Sequence, residues 1–310
     1  MNTMTDNKHL QGVYTIMPTP FTPGGEVDLD SVSNLVDFQI EAGIHGLAIL
    51  GFMGEAHKLS GRERRAVIAR VTERVAGRVP VWVGIRAIGT PATIEQGIEA
   101  QELGASAVFA APIDVQADAA IFRHYQQLQA ALEIPVLIHD FPENFGITVS
   151  PEVVARLGKE GGVHYIKMEE PPVNVKTTRI LELSDGQVHV FGGLGGTFFL
   201  EELERGAVGT MTGFAFPEVL LRIYELFRGG DHQGAARVFD HYMPLIRYEF
   251  QPKLGLALRK HTYFRRGIIA SDHVRAPGAN IDPVTVAELE RIVRRVGFQF
   301  DVTGPQAVRA

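Results

Sequence analysis

The stretch from Ile134 to Met168, IPVLIHDFPENFGITVSPEVVARLGKEGGVHYIKM, decides the fold. It opens on an apolar run, Ile134–His139, crosses a turn rich in Pro, Asn and Gly, starts a helical pattern at Ser150–Pro151, and returns to a second apolar run, Val163–Met168. Ser followed by Pro is a strong helix start, because the hydroxyl can accept an otherwise orphaned N–H and proline fits the first turn. Both runs are continuously apolar rather than alternating, as expected of parallel strands covered on both faces. The stretch therefore reads as strand, helix, parallel strand.

The same pattern repeats on either side. Strand-like runs occur at Val13–Thr19, Gly46–Leu50, Val79–Ile85, Ala107–Ala111, Val188–Phe191 and Val208–Thr212. Helical patterns begin near Ser31, Gly61, Pro91, Asp118, Lys176, Thr197 and Pro217. Eight strand–helix units with short connections favour closure into a barrel over an open sheet. The expected architecture is α/β, a (β/α)8 TIM barrel over residues 12–230 with a C-terminal helical extension over 231–300. Helical periodicity in the extension falls at His232–Tyr248, Pro252–Phe264 and Pro283–Val296, and no Gly/Ser/Pro-rich linker precedes it, so the two parts are expected to form one structural unit.

Composition narrows the chemistry. Of 310 residues, 45% are apolar and 21% charged, which suits a large buried core. The net charge of −6 offers no basic face, so nucleic acid is not an expected partner. The N-terminal segment lacks the order of a signal peptide and no apolar run is long enough to span a bilayer, so the expectation is a cytoplasmic protein with no membrane partner. The chain has no Cys, which removes thiolate nucleophiles, disulfides and Cys-based metal sites.

In such barrels the reacting groups stand at the C-terminal ends of the strands. That filter keeps Thr19, Gly51 to Glu55, Arg86, Asp114, His139, Asp140, Lys167, Glu169, Glu170, Gly192 to Gly196 and Thr212. Lys167 is the most informative. An amine at the end of a buried strand loses hydration, which lowers its pKa and makes it a nucleophile that can condense with a ketone. The same residue could instead be a barrel ion pair with Glu169 or Glu170. The other lysines fall in tails, loops or helices. Gly51–Phe52–Met53–Gly54–Glu55 follows the second strand, and its glycines would let backbone N–H groups approach an anion, although a tight turn that binds nothing has the same sequence.

With these residues in order, the chain resembles the dihydrodipicolinate synthase / N-acetylneuraminate lyase family, class I Schiff-base lyases that act on pyruvate and related 2-oxo acids. The matching segments are Thr19–Pro20–Phe21, Gly51-x-x-Gly54-Glu55, Pro135 with Pro142, Ile166–Lys167 and Gly206–Ala207–Val208–Gly209. The resemblance implies that Lys167 forms the Schiff base and that the backbone around Phe52 and Met53 holds the substrate carboxylate. It also implies that Thr19 and Met211 line the floor of the site, that no cofactor or metal is needed, and that the chain forms a homo-oligomer, a dimer or tetramer. Within the family the chain is similar to the subgroup that dehydrates 2-keto-3-deoxy sugar acids, through Met211–Thr212–Gly213 with Phe216–Pro217, Pro244–Leu245–Ile246 with Glu249, and Gly267–Ile268–Ile269–Ala270–Ser271.

The departures from the family pattern bear on the substrate. His139 replaces the usual strand-five tyrosine, Phe52 and Met53 replace hydroxyl residues, Asp114 stands where synthases carry a relay tyrosine, and Asn144 stands where they carry an arginine. Histidine titrates near neutrality and can serve as acid and base; a neutral core histidine is the alternative. Asp140 is next to it in sequence, but neighbours on a strand face opposite ways, so it should not pair with His139. The expected reaction is dehydration of a 2-keto-3-deoxy sugar acid, with His139, Asp114, Glu55 and water as candidate acids and bases. The alternatives are a pyruvate-dependent aldolase, a metal-dependent lyase using Asp114, His139, Asp140 and Glu169, a phosphate site at Gly192–Gly196, and a 2-oxo acid sensor without turnover.

Overall fold

A computed structural model describes residues 10–87, 89–112 and 117–309. Eight parallel strands close on themselves in chain order: β1 (Gly12–Ile16), β2 (Gly46–Ile49), β3 (Val81–Gly84), β4 (Ala107–Ala110), β5 (Val136–Asp140), β6 (Tyr165–Met168), β7 (His189–Gly192) and β8 (Gly209–Thr212). The barrel helices are α1 (Leu29–Glu41), α2 (Gly61–Val75), α3 (Thr90–Glu102), α4 (Asp118–Ala130), the single turn α5 (Pro142–Phe145), α6 (Pro151–Arg156), α7 (Val173–Leu183), α8 (Phe199–Glu204) and α9 (Pro217–Arg228). The extension adds α10 (His232–Glu249), α11 (Gly255–Arg265) and α12 (Pro283–Arg295).

Local chemistry explains the boundaries. Asp28, Ser60, Ser150, Asp231 and Asp282 cap their helices through side-chain oxygens, and Ser60 with Glu63 forms a reciprocal capping box. Several strands are shorter than the apolar runs that announce them. Pro18, Pro80 and Pro135 lie inside those runs, and proline has no N–H to give to a ladder, so β1 ends at Ile16 and β3 and β5 begin at Val81 and Val136. Likewise α7 starts at Val173, after Pro171–Pro172, and α8 starts only at Phe199, because the glycine-rich segment before it makes a short 3-10 turn at Leu194–Gly196.

The interior of the barrel is a packed aromatic layer. Tyr14, Trp82, Tyr165 and Phe191 meet edge to face or tilted at centroid separations of 5.2–6.5 Å, with Met211 and Leu137 buried among them. Side chains of a strand alternate, so the residue two positions after each plug residue points into the same lumen one layer higher. On β6 that step runs from Tyr165 to Lys167, and on β5 from Leu137 to His139. The plug thus closes the barrel from below and leaves its C-terminal mouth for polar groups.

Candidate active site

Lys167 and His139 are register partners on adjacent strands, so the pairing of β5 with β6 sets them side by side. The Nζ of Lys167 lies 3.3 Å from His139 Nε2. Glu169, just past the end of β6 and two residues beyond Lys167, takes both: its Oε2 accepts from the Lys167 ammonium and stands 2.9 Å from His139 Nε2. Its Oε1 accepts from the Leu194 N–H at 3.0 Å. All three side chains are buried, with Lys167 only 3% exposed, yet all three face a cavity of about 430 Å³ at the barrel mouth.

Burial and charge oppose each other here. Desolvation lowers the Lys167 pKa, and the Glu169 carboxylate works against it. Burial alone would raise Glu169, but the Lys167 ammonium and the His139 ring outweigh it and hold the carboxyl at about 2. His139 is enclosed by Phe109, Phe141 and Phe145 at centroid separations of 5.3–6.0 Å, and burial, reinforced by the Lys167 charge, lowers its pKa to about 4. At neutral pH the cluster is therefore a lysine with a weakened hold on its proton, a fixed carboxylate and a neutral imidazole.

The turn after β2 forms a second wall, with Gly51, Phe52 and Met53 lining the cavity. The amides of Gly54, Glu55 and Ala56 bond back to carbonyls of Gly51 and Phe52, whereas those of Phe52 and Met53 take no part in these turn bonds. Non-glycine residues in the left-handed region flank the turn, Leu50 at φ 58° and Glu55 at φ 53°, which marks a backbone held by its surroundings. Two expected site residues supply that hold rather than lining the cavity. Thr19 donates to the Gly54 carbonyl at 2.6 Å. Glu55 is fully buried and binds Lys58 at 2.7 Å and Lys260 of α11, so its carboxylate is a tether between the turn and the extension.

Met211 is buried in the aromatic layer below, and the residues that reach the cavity there are Thr212, the last of β8, and Gly213 just after it. Asp114 lies outside the described residues. Asp140 turns away from His139, as strand alternation requires, and accepts from Lys176 at 2.7 Å. The ligand set considered for a metal thus does not converge, and among the described residues no group of three His, Asp or Glu side chains is placed to hold a metal ion.

The Gly192–Gly196 segment is filled from within. The Gly193 N–H donates to Glu202 at 3.4 Å and the Leu194 N–H to Glu169, so two amides a phosphate would need already serve glutamate oxygens. A Cβ on Gly192 would stand 1.7 Å from Glu202 Oε2, and one on Gly193 2.3 Å from Glu169 Cγ. These glycines make room for two buried glutamates, and Glu202, with its pKa raised by burial to about 8, holds a proton at neutral pH.

Sequence reasoning named Glu169 only as an ion-pair partner of Lys167 or a metal ligand; the ion pair is present, and the i, i+2 spacing from Lys167 puts both on one face. It missed Arg259, which lines the cavity from α11, and gave no site role to Glu249, which lines it from α10. Both come from the extension, and their distance along the chain from Lys167 leaves no local signal.

The dihydrodipicolinate synthetase family model matches residues 9–296. The chain is 34% identical over 293 residues to an L-2-keto-3-deoxyarabonate dehydratase of Azospirillum brasilense, covering 92% of this chain and 94% of that one. It is 29% identical over 297 residues to a 4-hydroxy-tetrahydrodipicolinate synthase of Syntrophobacter fumaroxidans, covering 93% and 99%. Among solved structures, the dihydrodipicolinate synthase of Rhodopseudomonas palustris superposes with a TM-score of 0.87 at 33% identity, covering 92% of this chain and 97% of that one. Among the described residues no helix is long and apolar enough to cross a membrane.

Proposed function

We propose, from the premise that the chain belongs to the dihydrodipicolinate synthetase family, that it is a Schiff-base lyase which dehydrates a 2-keto-3-deoxy sugar acid. The observation that carries the Schiff-base step is the buried Lys167 facing the cavity beside one carboxylate and one neutral imidazole. In its neutral form the amine attacks the C2 ketone, the resulting carbinolamine hydroxyl takes up a proton and leaves as water, and a cationic iminium forms within reach of Glu169, which already pairs with a cation at that position. The iminium acidifies C3. Loss of the C3 proton gives an enamine whose electron pair expels the C4 hydroxyl, which leaves as water after taking up a proton. Hydrolysis then frees Lys167 and a 2-oxo acid lighter by one water. His139, neutral at pH 7 and 3.3 Å from the Lys167 Nζ, is the group we assign to proton transfer. The substrate carboxylate rests against the turn of Gly51, Phe52 and Met53.

The similarity to an L-2-keto-3-deoxyarabonate dehydratase favours dehydration, and so does the absence of a tyrosine from β5, where His139 stands. Aldol chemistry shares the iminium and is the second reading, favoured by the synthases among the relatives. Product analysis separates them. Incubation with L-2-keto-3-deoxyarabonate and its stereoisomers is expected to give a five-carbon dehydrated 2-oxo acid; release of pyruvate and a two-carbon aldehyde would overturn the assignment. We further propose a homo-oligomeric assembly, to be checked by sedimentation velocity.

A further inference from the structure

We infer that Arg259 is a carboxylate-binding residue of this cavity, and that its guanidinium docks the 2-oxo acid for attack by Lys167. The inference rests on the Schiff-base reading given above. Arg259 lies on α11, is 5% exposed, and lines the cavity. A guanidinium remains charged at any working pH, and burying it without hydrogen-bonding partners costs several kcal/mol, yet here its Nε has no partner among the described residues. The nearest carboxyl group is that of Glu249, its pKa raised by burial to about 7, and its Oε2 is 3.8 Å from Nε, beyond hydrogen-bonding distance. Glu249 is itself satisfied by other donors, the Ala215 N–H at 2.9 Å and the Thr262 hydroxyl at 3.4 Å. The acid of the pair is thus held by the protein, while the base is left with donors to spare.

Its position suits a substrate carboxylate. A Cβ built on Gly213 would stand 3.2 Å from Arg259 Nη1 and 3.1 Å from the Ile16 carbonyl, so Gly213 leaves room for the guanidinium over the ends of β8 and β1. The next strand is β2, which leads into the Gly51–Gly54 turn. In that turn Phe52 and Met53 bring no side-chain donor, so the backbone offers neutral amides only, and a carboxylate would be held far better with a cation beside them. The other cavity cations are less available: Lys167 is paired with Glu169, Lys58 with Glu55, and Lys253 is solvent-exposed at the rim. The Arg259 charge also helps to lower the Lys167 pKa and so favours the neutral amine that attacks the ketone.

Two ketones differing in the carboxylate test this. Pyruvate and hydroxyacetone are each titrated against the protein with borohydride, and the adduct on Lys167 is quantified by intact mass and peptide mapping. Arg259→Gln is expected to raise the pyruvate concentration for half-maximal trapping by about 10- to 100-fold more than that for hydroxyacetone, whose titration reports any change in the Lys167 amine itself. Arg259→Lys, which keeps a charge in nearly the same volume, is expected to shift pyruvate alone by a smaller factor and carries the test if the glutamine variant does not fold. An unchanged pyruvate titration, or equal losses for both ketones, would overturn the role of Arg259 while leaving Lys167 as the Schiff-base residue. No adduct from either ketone in the unmodified protein would instead overturn the reading on which the inference rests.

Discussion

At the scale of single residues, the proposed reaction gives each member of the central cluster a separable task. If His139 moves protons while Lys167 carries the covalent bond, His139→Asn should retain the borohydride-trapped adduct and lose about 10²- to 10⁴-fold in kcat; wild-type turnover in that variant would contradict the role. Glu169 favours the charged form of Lys167, so Glu169→Gln removes the interaction that opposes desolvation. The Lys167 pKa then falls further, and the acidic limb of the pH profile for adduct formation should move to lower pH. Absence of that shift, or a shift upward, would show that the carboxylate does not control the amine. Lys167, His139 and the turn of Gly51 to Gly54 were legible in the sequence because a strand end is a local feature. The same local logic separated Asp140 from His139. Arg259 was not legible, since only the tertiary packing of α11 brings it to the cavity.

At the scale of elements, the segment joining β7 to α8 shows how a glycine run can mislead. Five residues with four glycines resemble an anion-binding loop, but their amides and the space beside them belong to Glu169 and Glu202. The outcome was open in the sequence because the glutamate that fills the loop lies ten residues after Gly192. A stability prediction follows from this packing. Glu202 has a folded pKa of about 8 against an ordinary value of 4.5. Between these limits the folded state keeps a proton that the unfolded state has released, so stability falls as pH rises through that window. Glu202→Gln is neutral throughout and should gain on the wild type from pH 5 to pH 8, by at most about 1.4 kcal/mol per pH unit. Denaturant unfolding of both proteins across that range checks it, and a constant difference would mean that Glu202 is ionised in the fold. Strand and helix positions were otherwise well marked by apolar runs and caps; proline sets the shifted ends of β1, β3 and β5, and the glycine run delays α8.

At the scale of the whole molecule, the barrel and the extension line one cavity at the barrel mouth. The strands supply Lys167 and His139, the turn after β2 supplies amides, and α10 and α11 supply Glu249 and Arg259. The eightfold repeat made the barrel legible, but nothing in the periodicity of the last helices showed that they close over the site rather than only packing outside it. A ligand in this cavity would touch both parts, so pyruvate should raise the thermal midpoint of the protein in a concentration-dependent way, with about 2.7 kcal/mol gained at a hundredfold excess over Kd. Lys167→Ala should lose most of that gain; an equal gain in the variant would mean that pyruvate binds without forming the imine. The central claim is tested most directly by borohydride reduction of the protein with pyruvate followed by peptide mapping. The expected result is a single adduct on Lys167, absent from Lys167→Ala, and the contradicting result is an unmodified Lys167 or an adduct on Lys176 or Lys260 instead.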